Sequence, residues 1–267
     1  MTNKRIGRNP YFPYSLPFLL WQALVFVIPL FFLIVISFWE IREYRLIPVF
    51  TFQNYSELLS AWQFYLVIGR SLFFSFMVAL STIIFGAAIA YGLVFFVKSK
   101  VRSLILALII ISFLSNNILR AFGWQIIFAG SILFSPVAMI VGYISQLLPI
   151  SVVIFSWRLA NIDRDLIQAA ANLGGSEKIR FLKIILPLSS SYFLASFAIT
   201  FYLSLFDPII ATVVGGGKIY TFSLFVMDML KIDNWPIAAS ASVIVMLITL
   251  IPLFVFWKYV ARKETYA

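Results

Sequence analysis

The chain has 267 residues, 63% of them hydrophobic and only 11% charged, with a mean hydropathy of +1.02. Water-soluble domains carry roughly 25% charged residues, so this composition cannot hide a core behind a hydrated surface and describes a membrane protein. The sequence holds no cysteine and no histidine, which excludes thiol catalysis, disulfide frameworks, His-ligated metals and imidazole acid–base chemistry together. A formal charge of +10 would suggest nucleic acid in a soluble protein; in a membrane chain the first question is whether the charges sort by side.

A hydrocarbon core about 30 Å thick needs about 20 apolar residues in a helix. Six segments meet this requirement: 15–39, 71–97, 103–122, 136–157, 188–205 and 236–257. The first follows Lys4, Arg5 and Arg8, but its apolar run is too long for a signal peptide and no small-residue cleavage site follows, so it reads as a retained span. Residues 1–14 are then a short N-terminal segment and 15–267 a single transmembrane domain. In the second span, Gly86 with Ala90 and Ala88 with Gly92 form small-xxx-small pairs, which let helix backbones approach closely. Pro149 and Pro252 lie inside spans and predict kinks.

Placed on this topology, 14 basic and four acidic residues fall on the side that carries both termini and the loops after spans two and four. The opposite side has six of each sign. The positive-inside rule therefore predicts that both termini are cytoplasmic, and the whole surplus of +10 lies there, next to anionic lipid headgroups.

The longest loop on that side spans 158–187 and reads RLANIDRDLIQAAANLGGSEKIRFLKIILP. About thirty residues with helical patterning exceed what a connection needs. Asp165 is placed to cap a helix over 166–173, with Gln168 reaching back in a capping box. Leu166, Ala169, Ala170 and Leu173 share one narrow face. Gly174 or Gly175 can take the left-handed conformation that ends the helix, and Ser176 can cap a second one. Two short helices joined by a tight turn suit docking into a groove on another protein. The alternative, an amphipathic segment lying on lipid, is disfavoured by the short, alanine-rich first helix without large anchoring side chains.

The loop also carries a resemblance. Gln168-Ala169-Ala170, Gly174, Ile184, Leu186 and Pro187 stand in register with the Glu-Ala-Ala, Gly, Ile, Leu-Pro signature of the membrane permease subunits of ATP-binding-cassette (ABC) importers that work with a periplasmic binding protein. Gln168 replaces the signature glutamate, and Gly174-Gly175 replaces its usual Gly-Ala pair. The resemblance covers almost the whole chain and looks closest to the spermidine/putrescine-type permeases. It includes FTFQNY at 50–55, VRSL at 101–104, NNILR at 116–120, VGGGK at 214–218 and NWP at 234–236. The connection 123–135 looks shorter than in the polyamine permeases.

The resemblance implies an all-α polytopic protein of six transmembrane helices with the type I ABC importer permease fold, in the bacterial cytoplasmic (inner) membrane. It implies a second permease subunit, as a homologous heterodimer partner, two ATPase subunits that hold the ATP and Mg, and a periplasmic or lipid-anchored solute-binding protein. This chain has no GxxxxGK[ST] motif and is expected to bind no cofactor, metal or nucleic acid and to catalyse no reaction. Coupling to the ATPase falls to Gln168, Ala169, Ala170, Leu173, Gly174 and Gly175. Polar groups in spans are costly, so Asn116, Asn117, Arg120 and Asp207 are candidates for the substrate path, with Tyr202, Trp124 and Gln125 as weaker ones. Arg120 and Asp207 can instead snorkel or pair with each other. The substrate expected is a polyamine or, alternatively, iron, thiamine, a phosphonate or an opine.

Three other classes fit less well. A secondary transporter usually shows more spans, an inverted repeat and deep coupling carboxylates. A membrane enzyme lacks its reactive groups here. A passive channel would need more of a filter than Gly215-Gly216-Gly217.

Overall fold

The computed structural model describes residues 12–43 and 45–264, so Lys4, Arg5 and Arg8 lie outside the described residues. It is almost entirely helical, because a chain in lipid must satisfy every backbone N–H and C=O within itself. In chain order the first span is α1 (Phe12–Gln22), a π-helical turn (Ala23–Val27) and α2 (Ile28–Ile36). A two-stranded antiparallel hairpin follows, β1 (Glu40–Arg42) with β2 (Arg45–Ile47), then α3 (Gln53–Ser60). The remaining helices are α4 (Trp62–Phe96), α5 (Ser99–Leu114), α6 (Asn117–Phe128), α7 (Pro136–Ala160), α8 (Arg164–Asn172), α9 (Glu177–Arg180), a second π-helical turn (Phe181–Ile185), α10 (Leu186–Leu188), α11 (Ser190–Phe206), α12 (Pro208–Val213), α13 (Phe222–Lys231) and α14 (Trp235–Glu264).

Four helical stretches are long and apolar enough to cross a bilayer alone: Leu16–Ile36, Trp62–Phe96, Pro136–Ala160 and Trp235–Pro252. Two bent pairs, Ser99–Leu114 with Asn117–Phe128 and Glu177–Leu188 with Ser190–Phe206, bring the number to six if each pair is one span. The third expected span is thus not a straight rod but turns by 93° within itself, whereas the fifth is the continuous helix α11, and the 70° bend lies at its start, where Glu177–Leu188 joins it. These sharp bends do not fall at the prolines. Helices α7 and α14 continue through Pro149 and Pro252, while the breaks lie at Ser115–Asn116 and at Ser189.

Two compact units divide the chain. One comprises the residues up to Ala61 with Met229–Ile248. Within it the FTFQNY stretch fastens the end of the first span. Asn54 Nδ2 donates to the carbonyls of Ser37 (3.0 Å) and Trp39 (2.8 Å), and Ser240 Oγ donates to the Ser37 carbonyl at 2.8 Å. The Tyr55 and Ser37 hydroxyls share a hydrogen bond of 2.6 Å, and Phe38, Phe50, Phe52 and Tyr55 pack ring against ring. Asn234 accepts from the Ile237 N–H at 3.3 Å, so the NWP stretch is a helix start, with Pro236 where a missing N–H costs nothing.

The second unit runs from Trp62 to Asp228 and adds the residues from Thr249. Its centre is α4 against α7 and α11. Gly86 and Ala90 are buried, and a Cβ added at Gly86 would stand 2.6 Å from Ser151 Cβ, so the backbones of α4 and α7 meet closely there. The Ala88 and Gly92 pair makes no such contact: Ala88 is exposed and Gly92 faces open space. Buried hydroxyls bridge the same helices, Ser196 to Ser151 at 2.8 Å and Thr82 to Thr200 at 3.3 Å, the polar adhesive expected where lipid supplies no hydrophobic drive. Gly86→Val should therefore lower the stability of the chain in detergent by about 1–3 kcal/mol through overpacking, while Gly92→Val changes it little. Thermal unfolding of the two variants checks this.

Candidate coupling loop and substrate path

The connection between α7 and α11 is a built structure. Asp163, extended at ψ 120, is the residue outside the helix, and its Oδ1 accepts the Asp165 N–H at 2.9 Å. The cap is therefore Asp163 and not Asp165, and α8 spans Arg164–Asn172 instead of 166–173. This shift puts Gln168 in the helix interior, where the expected capping box cannot form. Asp165 instead lies in the first turn, where its charge favours the positive helix end.

The end of α8 follows the expectation. Gly174 has φ +78, its N–H donates to the Ala171 carbonyl at 2.9 Å, and the Gly175 N–H donates to Ala170 at 2.9 Å. This pair of bonds defines a Schellman turn. Gly174 is required by its backbone angle, and Gly175 by space, since a Cβ there would meet the Ala170 oxygen at 2.7 Å. Ser176 then caps α9, accepting from the Ile179 N–H at 3.4 Å. The Arg180–Glu177 pair at 4.0 Å, with Glu177 largely exposed, adds little.

The two faces of α8 differ. Leu166, Gln168, Ala169 and Leu173 are exposed, and Leu173 is 89% accessible. The other face is anchored: Ile167 packs against a core of Ala87, Ala90, Val94, Phe155, Leu159, Ile162 and Ile185, and Ala170 is half-buried. Ile162 and Ile167 were not singled out in the sequence, although an isoleucine on either side of the cap is the signal of an anchored helix. Through them the loop that carries α8 packs directly on α4 and α7.

The substrate-path candidates separate into two places. Asn116, Asn117 and Arg120 shape the sharp bend between α5 and α6. Asn116 caps α6 through the Ile118 N–H at 2.8 Å. Arg120 Nη2 donates to the carbonyls of Phe113 (3.1 Å) and Ser115 (3.4 Å) and to Asn117 Oδ1 (3.4 Å), satisfying the end of α5. Its Nε and Nη1 are buried with no partner among the described residues. Arg120 and Asp207 do not pair. Trp124 stacks on Phe128 at 5.0 Å and packs against the apolar core around Val78 and Met139, Gln125 is half-buried, and Tyr202 stacks on Phe206 at 6.2 Å.

Asp207 lies between α11 and α12, half-buried. Its Oδ1 accepts the Ile209 N–H at 2.7 Å and its Oδ2 accepts from Gln146 Nε2 at 3.2 Å. Its carbonyl accepts from Tyr143 at 2.7 Å and from Ser223 at 3.1 Å. Gln146 is only 5% exposed, and its Oε1 has no partner among the described residues. The carboxylate is thus held by neutral donors, beside a second acceptor that is free. Gln146 was legible as the one side-chain amide in an otherwise apolar span, but its distance from Asp207 by 61 positions was not.

Comparisons with known proteins agree with this architecture. No family model matches the chain. It is 27% identical over 229 residues to the spermidine/putrescine transport system permease protein PotB of Escherichia coli (strain K12), covering 79% of this chain and 82% of that one. It is 28% identical over 128 residues to the permease protein PotC of the same system and organism, 48% of each chain. Among solved structures, a chain of a bacterial alginate ABC transporter in complex with an alginate-bound periplasmic protein superposes with a TM-score of 0.73 at 14% identity, covering 95% of this chain and 94% of that one. The protein is a multi-pass membrane protein with the permease fold of ABC importers. Its curated homologues are spermidine/putrescine permease subunits.

Proposed function

We propose that this chain is a transmembrane permease subunit of a binding-protein-dependent, ATP-driven importer, forming half of a translocation pore for a small solute, with a polyamine such as spermidine or putrescine as substrate. The observation that carries the proposal is α8, a short helix with one face exposed, one face anchored on the transmembrane core, and a Schellman turn at its tip. Such an element transmits force from a docked protein to the spans. The docked protein is an ATPase subunit, two per transporter, and ATP and Mg belong to it. The exposed residues Gln168, Ala169 and Leu173 meet it, and Ala170, Gly174 and Gly175 hold the geometry. Gln168 offers a neutral contact where the family signature carries a charge. Likeness to both PotB and PotC supports a homologous second permease as the pore partner.

On this reading the chain lies in the bacterial inner membrane with both termini cytoplasmic, and a periplasmic or lipid-anchored binding protein delivers substrate to the opposite face. Asp207 is a negative group on the path suited to a cationic solute, and Arg120, Asn116 and Asn117 shape the bend between α5 and α6. Uptake of radiolabelled spermidine and putrescine by cells with and without this chain tests the substrate. Loss of energy-dependent uptake of either polyamine is expected; unchanged uptake of both contradicts the polyamine assignment.

A further inference from the structure

A cavity of about 460 Å³ opens where α7 ends and α11 begins, within the range of about 300–1,000 Å³ usual for small-molecule sites. It is lined by Arg158, Leu188, Ser191, Tyr192 and Ala195. None of the residues assigned to coupling or to the substrate path lines it. Arg158 is held in place from two directions. Its Nε donates to the Leu188 carbonyl at 2.9 Å and its Nη2 donates to the same oxygen. Its guanidinium carbon lies 5.2 Å from the centre of the Tyr192 ring. A guanidinium fixed in this way has lost the side-chain freedom that binding would otherwise have to remove, and its Nη1 remains available. Arg158 forms no ion pair with a carboxylate among the described residues, so none of these neutralises its charge.

Two further features favour an anion. Ser191 lines the cavity from the first turn of α11, a 17-residue helix whose N-cap, Ser189, makes no side-chain cap bond. The Ser189 hydroxyl is buried, 1% exposed, and has no partner among the described residues. The first turn of this helix thus has no side-chain cap on the side next to Arg158. Depth is indicated by Trp157, which is 60% exposed and packs on Tyr192 at 5.6 Å between ring centres. Tryptophan and tyrosine side by side at the end of a span mark the level of lipid headgroups.

We propose that this cavity binds the phosphodiester headgroup of an anionic phospholipid, with Arg158 on the phosphate, Ser191 as a second donor and Trp157 beside the acyl chains. A bound lipid of this kind would brace the 70° bend at Ser189 through which α8 and α9 connect to α11.

The test is native mass spectrometry of the purified full chain in detergent, offered equal amounts of phosphatidylglycerol and phosphatidylcholine with the same acyl chains. The wild type is expected to retain phosphatidylglycerol about tenfold better: both lipids offer a phosphodiester, but phosphatidylcholine brings its own trimethylammonium cation next to Arg158, and the difference is worth about one interaction with a charged group. Arg158→Gln should bring the ratio close to one. Ala195→Leu, which fills the cavity and leaves Arg158 untouched, should do the same, so the result does not depend on the folding of one variant. A ratio unchanged in Ala195→Leu and in Arg158→Gln overturns the site. Displacement of the lipid by inorganic phosphate at the lipid's own concentration overturns the lipid as ligand in favour of a soluble anion.

Discussion

Gly174→Val is expected to abolish ATP-driven uptake while the chain is still made and inserted at normal levels. Gly174 has φ +78, and a β-branched side chain in that region costs about 1–3 kcal/mol. Each ~1.4 kcal/mol shifts the population of the correct turn tenfold. The strain is purely one of backbone conformation, because a Cβ at Gly174 would meet nothing within 4 Å. The chain relieves it by opening the turn, which releases the bonds from Gly174 to Ala171 and from Gly175 to Ala170 and lets the tip of α8 drift from its anchored base. Gly174→Asn is the matched control. Asparagine tolerates the left-handed region, so this variant should keep most of the uptake. Equal loss in both variants would mean that the glycine is needed for something other than the turn. Uptake unchanged in Gly174→Val would remove the loop from the coupling mechanism.

The second large effect is expected at Asp207. Asp207→Asn should lower uptake of a cationic substrate about tenfold or more, the worth of one interaction with a charged group. The fold should survive, because asparagine is as good a helix cap as aspartate and can still accept from the Ile209 N–H. Its Nδ2 replaces the oxygen that now accepts from Gln146 Nε2, so Gln146 turns its amide over and accepts through Oε1 instead. Charge is thereby removed without loss of structure. Asp207→Ala removes the cap as well and should cost about 1 kcal/mol of stability in addition. Transport kinetics together with thermal unfolding separate the two. If Asp207→Asn transports as well as the wild type and only Asp207→Ala fails, the carboxylate is a helix cap and plays no part in the path.

Much of the coupling loop was legible because its determinants are local. A left-handed glycine and a serine cap follow from neighbours in sequence, and both are found where they were expected. The start of α8 was displaced for an equally local reason. Asp163 and Asp165 are both good caps, and the choice between them depends on which residue is extended, a property of the chain's direction that side-chain type does not encode. The spans were visible from hydropathy, but the bend at Ser115–Asn116 was not. Hydropathy counts apolar residues and is blind to the backbone turning within them; the polar residues read as pore lining are the ones that stabilise that turn. The Asp207 cluster joins Tyr143 and Gln146 of α7 and Ser223 of α13 to a residue far from both in sequence, so it is a property of the packed bundle.

The central claim is that the exposed face of α8 meets an ATPase. The absence of cysteine makes the claim directly measurable, since Leu173→Cys introduces the only thiol of the chain at a position that is 89% exposed. Membranes holding this variant with its co-expressed ATPase should yield, on treatment with a short thiol-to-amine cross-linker, an adduct with the summed mass of the two chains. Labelling of that cysteine by a lipid-phase reagent, with no ATPase adduct, would mean that α8 lies on the bilayer surface and would contradict the account.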